Sequence, residues 1–158
     1  TLWVTQAALP VLRAQGGGRI LQVSSIAGVA AFPNLGLYHA SKWAVEGMSE
    51  ALSKEVGRFG IRVTLIEPGP YGTDWRGPSS VHAVTSSPYA DVAPAGSGLA
   101  SGDPKATASA ILAIVDSEDP PLRLFLGSEV FGAVRPVYEE RLRTWEKWQS
   151  VSRSAQGN

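Results

Sequence analysis

Cysteine is absent from this chain of 158 residues, and histidine occurs only at His39 and His82. Without thiols the chain can form neither a disulfide nor a thiolate metal site, and two scattered histidines do not make a metal site by themselves. We therefore expect no metal. The lack of cysteine also suits a reducing compartment, and we expect a cytoplasmic protein.

An excess of charge of one sign and a long apolar run are missing as well. The 14 lysines and arginines balance the 14 aspartates and glutamates, so the charge favours neither nucleic acid nor an acidic or anionic surface. No apolar run approaches the ~20 residues that span a bilayer, and the first residues lack the charged start of a signal peptide. We expect no nucleic-acid or membrane partner.

Apolar periodicity predicts four helices that alternate with three short strands. The helices are expected at 1–15, 38–58, 103–115 and 129–150, and the strands at 19–25, 61–69 and 122–127. Alternation of this kind predicts an α/β fold, with a parallel sheet covered by helices on both faces. The connection from Pro70 to Gly102 is rich in small and turn-forming residues, and its length is typical of a functional lid or of disorder.

Polar residues follow two of the predicted strands. Ser24 and Ser25 end the first strand, Tyr38 opens the helix after it, and the stretch "PGPYGT" at 68–73 follows the second strand. In open parallel sheets, ligands bind beyond the carboxyl ends of the strands. We therefore expect these residues to lie near one another.

Tyr38 and Lys42 are four residues apart, a spacing that stacks both side chains on one face of a helix. A nearby ammonium favours the ionised form of a phenol, so such a pair suits proton transfer. Ser25 could hydrogen-bond a substrate carbonyl beside the tyrosine. Each feature alone has an ordinary explanation, such as a surface pair, a turn-forming serine or a helix-capping Thr73, but their coincidence at adjacent strand ends favours a functional site.

The chain resembles the short-chain dehydrogenase/reductase family. The stretches "GGRILQVSSIAG", "YHASKWAVEGMSEAL", "GIRVTLIEPGPYGT" and "LRLFLG" are similar to successive blocks of that family and cover nearly the whole chain. The resemblance implies an oxidoreductase that interconverts a carbonyl and an alcohol with NAD or NADP. It implies Tyr38 as the general acid or base, Lys42 as a ligand of the nicotinamide ribose as well, and Ser25 as the residue that orients the substrate. The residues expected to line the nicotinamide are Pro68, Gly69, Tyr71 and Thr73.

Several elements of the family have no counterpart here: the glycine-rich phosphate loop, the residue that selects NAD or NADP, the Asn-Ala-Gly stretch and the catalytic asparagine. By resemblance, residues 1–158 form the carboxyl-terminal part of a single NAD(P)-binding oxidoreductase domain. That part would be a partial Rossmann-type, doubly wound parallel sheet of about three strands, with a substrate lid at 74–102. Apolar residues of this lid suggest an apolar substrate; they are Trp75, Val81, Val84, Tyr89 and Leu99.

The resemblance also bears on how the chain would act. Because it opens on Thr1 in mid-helix, we interpret it as part of a longer protein. Because the glycine-rich phosphate loop of the family is absent from the 158 residues, we expect them to be inactive alone. The full-length form is expected to be a homo-oligomer that acts on a small-molecule carbonyl or alcohol. No family role falls on His39, which we expect to pack or to face solvent.

Two other functions compete with this interpretation. One is a non-catalytic remnant that serves as an association module, since family members commonly pair through the helix that holds Tyr38 and the helix before it. The other, a serine hydrolase, is disfavoured because the chain has no G-x-S-x-G motif and neither histidine is placed by motif beside Ser25. The sequence decides neither the choice between NAD and NADP nor the substrate.

Overall fold

The computed structural model of the chain describes residues 1–78, 80–81, 88, 92 and 98–157. Its longer elements are α1 (Leu2–Ala14), β1 (Gly18–Val23), α2 (Gly36–Val56), β2 (Ile61–Pro68), α3 (Thr107–Asp116), β3 (Arg123–Leu126), α4 (Val130–Lys147) and α5 (Gln149–Ser154). The predicted alternation is confirmed. Two of the expected helices were wrong in detail. The expected last helix is two helices, which meet at Trp148, and the helix expected at 103–115 begins as a 3₁₀ turn at Pro104–Ala106 before α3.

The three strands form one parallel sheet in the order β1, β2, β3. The register pairs Gly18 with Ile61 at one end of β1 and β2, and Leu65 with Arg123 at the start of β3. A left-handed glycine, Gly60 (φ 71°), turns the chain into β2, and its carbonyl accepts a hydrogen bond from the Gly18 amide at 3.2 Å. The strands therefore run side by side and end at the same edge.

Helices cover both faces of this sheet. On one face, Leu52 and Val56 of α2 pack against Ile61 and Val63 of β2, and α1 adds Leu9 and Leu12. On the other face, α3 contributes Ile114, which packs against Ile66 and Leu126. Alternate residues of a strand point to opposite faces, which explains why odd-numbered residues of β2 meet α2 and even-numbered ones meet α3. The α/β fold class with a doubly covered sheet is confirmed.

A third apolar cluster fixes the turn at the end of β1. Val130 and Val134 of α4 pack against Ile26 and Val29. Ile26 begins the 3₁₀ turn Ile26–Gly28, and Val29 directly follows it. Each such buried side chain contributes about 1.5–3 kcal/mol. The carboxyl end of β1 is thus held by the core rather than by loop contacts alone.

Within the described residues, no helix combines the length and apolarity that a membrane span requires.

Candidate active site

A cleft of about 670 Å³ lies at the carboxyl ends of β1 and β2. All the predicted site residues line this cleft: Ser25, Tyr38, Lys42, Pro68, Gly69, Tyr71 and Thr73. This convergence follows from the parallel sheet, because β1 and β2 end at the same edge. The chemical roles of these residues stay predictions.

Ser25 is held rigidly at the start of the 3₁₀ turn. Its buried hydroxyl oxygen accepts a hydrogen bond from the Ala27 amide at 3.2 Å, and its carbonyl accepts one from Gly28 at 2.8 Å. Just before it, the Ser24 amide donates to the Ile66 carbonyl at 2.8 Å and so extends the pairing of β1 with β2. A hydroxyl both accepts and donates, so the Ser25 oxygen is fixed while its hydrogen can serve a ligand in the cleft.

Tyr38 and Lys42 share one face of α2, as their spacing predicts. The Lys42 ammonium lies 5.8 Å from the centre of the Tyr38 ring and donates a hydrogen bond to the Val23 carbonyl at 3.1 Å. Partial burial lowers the pKa of Lys42. An ammonium carries three hydrogens, so the bond to Val23 leaves two for other acceptors. The lysine is therefore anchored to the strand end and can still bind a ligand.

The residues after β2 form a second wall. The Thr73 amide donates to the Tyr71 carbonyl at 2.8 Å, and Tyr71 pairs as a parallel bridge with Gly102. A Cβ on Gly102 would lie 2.8 Å from the Tyr71 ring, which also packs against the cluster that contains Ile66. Trp75 follows, with its ring centre 5.4 Å from that of Tyr38. The two sides of the cleft thus meet through an aromatic contact that the sequence did not predict.

The predicted lid at 74–102 is described only in part. Trp75 and Leu99 line the cleft, as an apolar lid requires. Val81 is 97% exposed and is not among the residues that line the cleft, and its part in an apolar substrate site stays a prediction. Val84, Tyr89 and His82 lie outside the described residues.

His39 packs in the interior, which confirms one of the two expectations for it. Its Nε2 accepts a hydrogen bond from the Phe32 amide at 2.8 Å, so the ring hydrogen lies on Nδ1, 2.8 Å from the Ala27 carbonyl that accepts it. The imidazole ties the connection between β1 and α2 to the helix that carries Tyr38. We assign it a structural role in shaping the cleft wall.

A cluster of three glutamates around Arg123, of which Glu46 and Glu67 are buried, was not predicted from the sequence. The Arg123 guanidinium of β3 contacts Glu46 at 3.1 Å, Glu50 at 2.9 Å and Glu67 at 3.4 Å. The Glu67 side chain is fully buried; that burial, together with the charge of Glu46, raises the pKa of Glu67 to about 8, while Arg123 opposes the rise. One signal was visible: Glu67 is an acid inside the apolar strand "IRVTLIEP".

The cluster touches the turn that carries Ser25. A Cβ on Gly28 would lie 2.5 Å from the Ser24 hydroxyl and 2.9 Å from Glu46 Oε1. Because Gly28 has no side chain, the turn packs directly against Glu46. No group of three or more potential metal ligands occurs in the part of the chain that the structure describes.

Residues 1–82, which include Ser25, Tyr38, Lys42 and the second wall, match the family model for short chain dehydrogenase. This chain belongs to the short chain dehydrogenase family. The match includes more than half of its residues and extends from α1 through the start of the connection after β2.

Relatives extend the likeness over most of this dehydrogenase-family chain. It is 37% identical to oxidoreductase BOA17 of Botryotinia fuckeliana over 96% of its own length and 58% of the relative's. It is 36% identical to a 3-ketodihydrosphingosine reductase of Bacteroides thetaiotaomicron, over 77% of its length and 48% of the relative's. The chain thus spans roughly half the length of these curated relatives.

Solved structures agree with the fold. A short-chain dehydrogenase from Streptomyces avermitilis matches with a TM-score of 0.81 and 31% identity, over 96% of this chain and 57% of that one. A short chain dehydrogenase from Burkholderia cenocepacia in complex with NADP matches with a TM-score of 0.63 and 22% identity, over 90% of this chain and 51% of that one. The second likeness, at this identity, shows the fold alone.

Membership of the family raises the question whether the cleft fits NAD(P). The Lys42 ammonium and the backbone of 68–73 offer hydrogen-bonding groups on a cleft wide enough for a ring the size of nicotinamide. A site for the pyrophosphate would need a glycine-rich turn at the amino end of a helix, and we find no such turn in this sequence. The residues present fit the nicotinamide end of the dinucleotide.

Proposed function

We propose that this chain carries the catalytic centre of an oxidoreductase that interconverts a carbonyl and an alcohol by hydride transfer, with NAD or NADP as cofactor. The observation that supports this most is the convergence of Ser25, Tyr38 and Lys42 on one cleft at the carboxyl ends of β1 and β2. A rigid hydroxyl, a phenol and an anchored ammonium can together orient a carbonyl group and protonate its oxygen.

Each of these side chains has a separate task in the reduction. The Ser25 hydroxyl donates a hydrogen bond to the carbonyl oxygen and orients the substrate. NAD(P)H, when bound, supplies a hydride to the carbonyl carbon. The Tyr38 hydroxyl gives its proton to the oxygen as negative charge develops there, and the resulting phenolate later takes a proton from solvent. In the oxidation the same phenolate accepts the proton of the alcohol.

Lys42 serves both the proton transfer and cofactor binding. Its ammonium, 5.8 Å from the centre of the Tyr38 ring, stabilises the phenolate electrostatically. The two ammonium hydrogens not given to Val23 can bond the ribose hydroxyls of the nicotinamide nucleotide. The other residues that we assign to the nicotinamide are Pro68, Gly69, Tyr71 and Thr73.

Two relatives support this assignment at a coarser level. The name of the Bacteroides protein describes a reductase of a keto compound, and the Burkholderia structure contains NADP. We propose the same reaction class here, without a preference between the two dinucleotides. Because the 158 residues contain no glycine-rich phosphate loop, we propose that they do not turn over substrate alone. For the full-length protein we propose a homo-oligomer in the cytoplasm.

A test of this function uses the full-length protein and Tyr38→Phe, which removes only the hydroxyl. We expect turnover to fall by about 10²- to 10⁴-fold, the usual contribution of general acid-base catalysis, with dinucleotide affinity unchanged within a few-fold. Tyr138→Phe is the matched control, since Tyr138 lies on α4 away from the cleft and should keep full activity. A Tyr38→Phe enzyme that keeps most of the wild-type rate would refute the assignment.

We also propose, as a second candidate, a non-catalytic association module. Exposed apolar side chains on α1 and α2 favour it: Trp3 is 85% exposed and Leu37 is 90% exposed, and Val4 and Trp43 lie on the same two helices. The two candidates differ in turnover, because an association module would show none with any carbonyl compound in the full-length protein.

A further inference from the structure

Trp75 exposes a large apolar surface at the edge of the cleft. The residue is 53% exposed, and its ring centre lies 5.4 Å from that of Tyr38, with an angle of 47° between the ring planes. Both residues line the cleft. Exposed apolar surface in a concave site is typical of a ligand-binding wall, and an indole is well suited to pack against a flat ring. The indole therefore flanks the proposed proton donor within the cleft.

The described part of the cleft wall carries little charge. Among the described lining residues, Lys42 is the one with a charged side chain, and its ammonium, which bonds the Val23 carbonyl, is assigned above to the ribose of the cofactor. Most of the other side chains are apolar or aromatic, including Ile26, Phe32, Leu35, Tyr71 and Leu99. Burying a carboxylate, phosphate or ammonium group of a substrate against such a wall is costly. The described wall thus favours an uncharged substrate.

Building on the proposed function, we propose that Trp75 is a specificity-determining residue and that the substrate is an uncharged carbonyl or alcohol compound whose reacting carbon carries a flat, apolar ring. Stacking of that ring on the indole places the adjoining carbonyl group beside Tyr38. The cleft volume of about 670 Å³ leaves room for such a ring together with the nicotinamide. Aryl ketones and the corresponding benzylic alcohols are the simplest members of this class.

The test compares two ketones with the full-length protein, Trp75→Ala and Trp75→Phe. We expect kcat/KM for acetophenone to fall about 10- to 100-fold in Trp75→Ala, because both the stacking and the buried apolar area are lost. For 2-butanone, which has no ring, the change should stay below about threefold, and Trp75→Phe should keep most of the acetophenone activity. Trp145→Ala, at an exposed tryptophan on α4, is the matched control and should change neither rate.

A binding measurement separates this proposal from the function on which it rests. Saturation-transfer NMR detects acetophenone on the full-length protein with NADP⁺ present, without any turnover. We expect the signal to be strong in the wild type and in Trp145→Ala and weak in Trp75→Ala. Equal losses of kcat/KM for both ketones, or an unchanged acetophenone signal in Trp75→Ala, would overturn the role of Trp75. Binding that depends on Trp75 in a protein that reduces no ketone would instead refute the proposed oxidoreductase and leave the ring-binding wall intact.

Discussion

Replacing Glu67 by glutamine should remove a pH dependence of stability that its buried carboxyl creates. Burial of the Glu67 carboxyl and the nearby charge of Glu46 raise its pKa from 4.5 to about 8. The charge of Arg123 lowers this pKa but does not cancel the rise. Between these two values an unfolded chain loses the proton while the folded chain keeps it. The contribution of Glu67 to the free energy of unfolding should therefore be largest below pH 4.5. It should fall as the pH rises from 4.5 to about 8 and level off above pH 8.

The size of the effect follows from the width of the window. The span from 4.5 to about 8, at about 1.4 kcal/mol per pH unit, sets an upper limit of about 5 kcal/mol. Glutamine has nearly the same shape as a protonated glutamate but does not titrate here. The difference in unfolding free energy between Glu67→Gln and the wild type should therefore grow in favour of the variant as the pH rises from 5 to 8, the range that the measurement covers.

The assay is urea unfolding of the full-length protein at a series of pH values, with the wild type and Glu67→Gln measured side by side. Glu140→Gln on the surface of α4 serves as control, because Glu140 pairs with Arg143 in solvent and its replacement should leave the pH slope between 5 and 8 unchanged. Parallel curves for wild type and Glu67→Gln over this range would show that Glu67 is ionised throughout. They would refute the claim that burial keeps it protonated.

Two further substitutions test the site and its support. In the full-length protein, Lys42→Met should lower turnover and dinucleotide affinity together, because the ammonium serves both; an unchanged cofactor KM in steady-state kinetics would contradict the double role. Gly28→Ala should cost about 1–3 kcal/mol of stability, because the added Cβ would lie 2.5 Å from the Ser24 hydroxyl and 2.9 Å from Glu46. An unaltered urea midpoint would show that the turn is not pressed against the acidic cluster.

Much of the fold and the central part of the site could be predicted from short-range patterns. Apolar strands that alternate with helices indicate a parallel sheet, and parallel strands end at one edge. The i, i+4 spacing of Tyr38 and Lys42 places them on one face of α2, and the strand order then brings Ser25 to the same cleft. These inferences need only helical geometry and strand direction.

The contacts that were missed depend on how separate segments of the chain come together. Arg123 meets Glu46 across a separation of 77 residues, and the contact requires the register that places β3 beside β2. His39 bonds backbone groups of a connection that has no periodicity to reveal its path. The contact of Trp75 with Tyr38 depends on the path of the chain after β2. Glu67 inside an apolar strand signals a buried acid, but sequence patterns do not give the partners in such contacts.

Transfer of deuterium from NADPH or NADH that carries deuterium at both C4 positions of the nicotinamide tests the proposed chemistry of the cleft most directly. In a single turnover, the full-length wild-type protein should deliver the label to the carbonyl carbon of a neutral ketone, as read by mass spectrometry of the alcohol. With the dinucleotide bound, Tyr38→Phe should transfer the deuterium at least about 100-fold more slowly than the wild type, because the general acid is lost. An alcohol without deuterium at that carbon, or transfer by Tyr38→Phe at the wild-type rate, would contradict hydride transfer assisted by Tyr38.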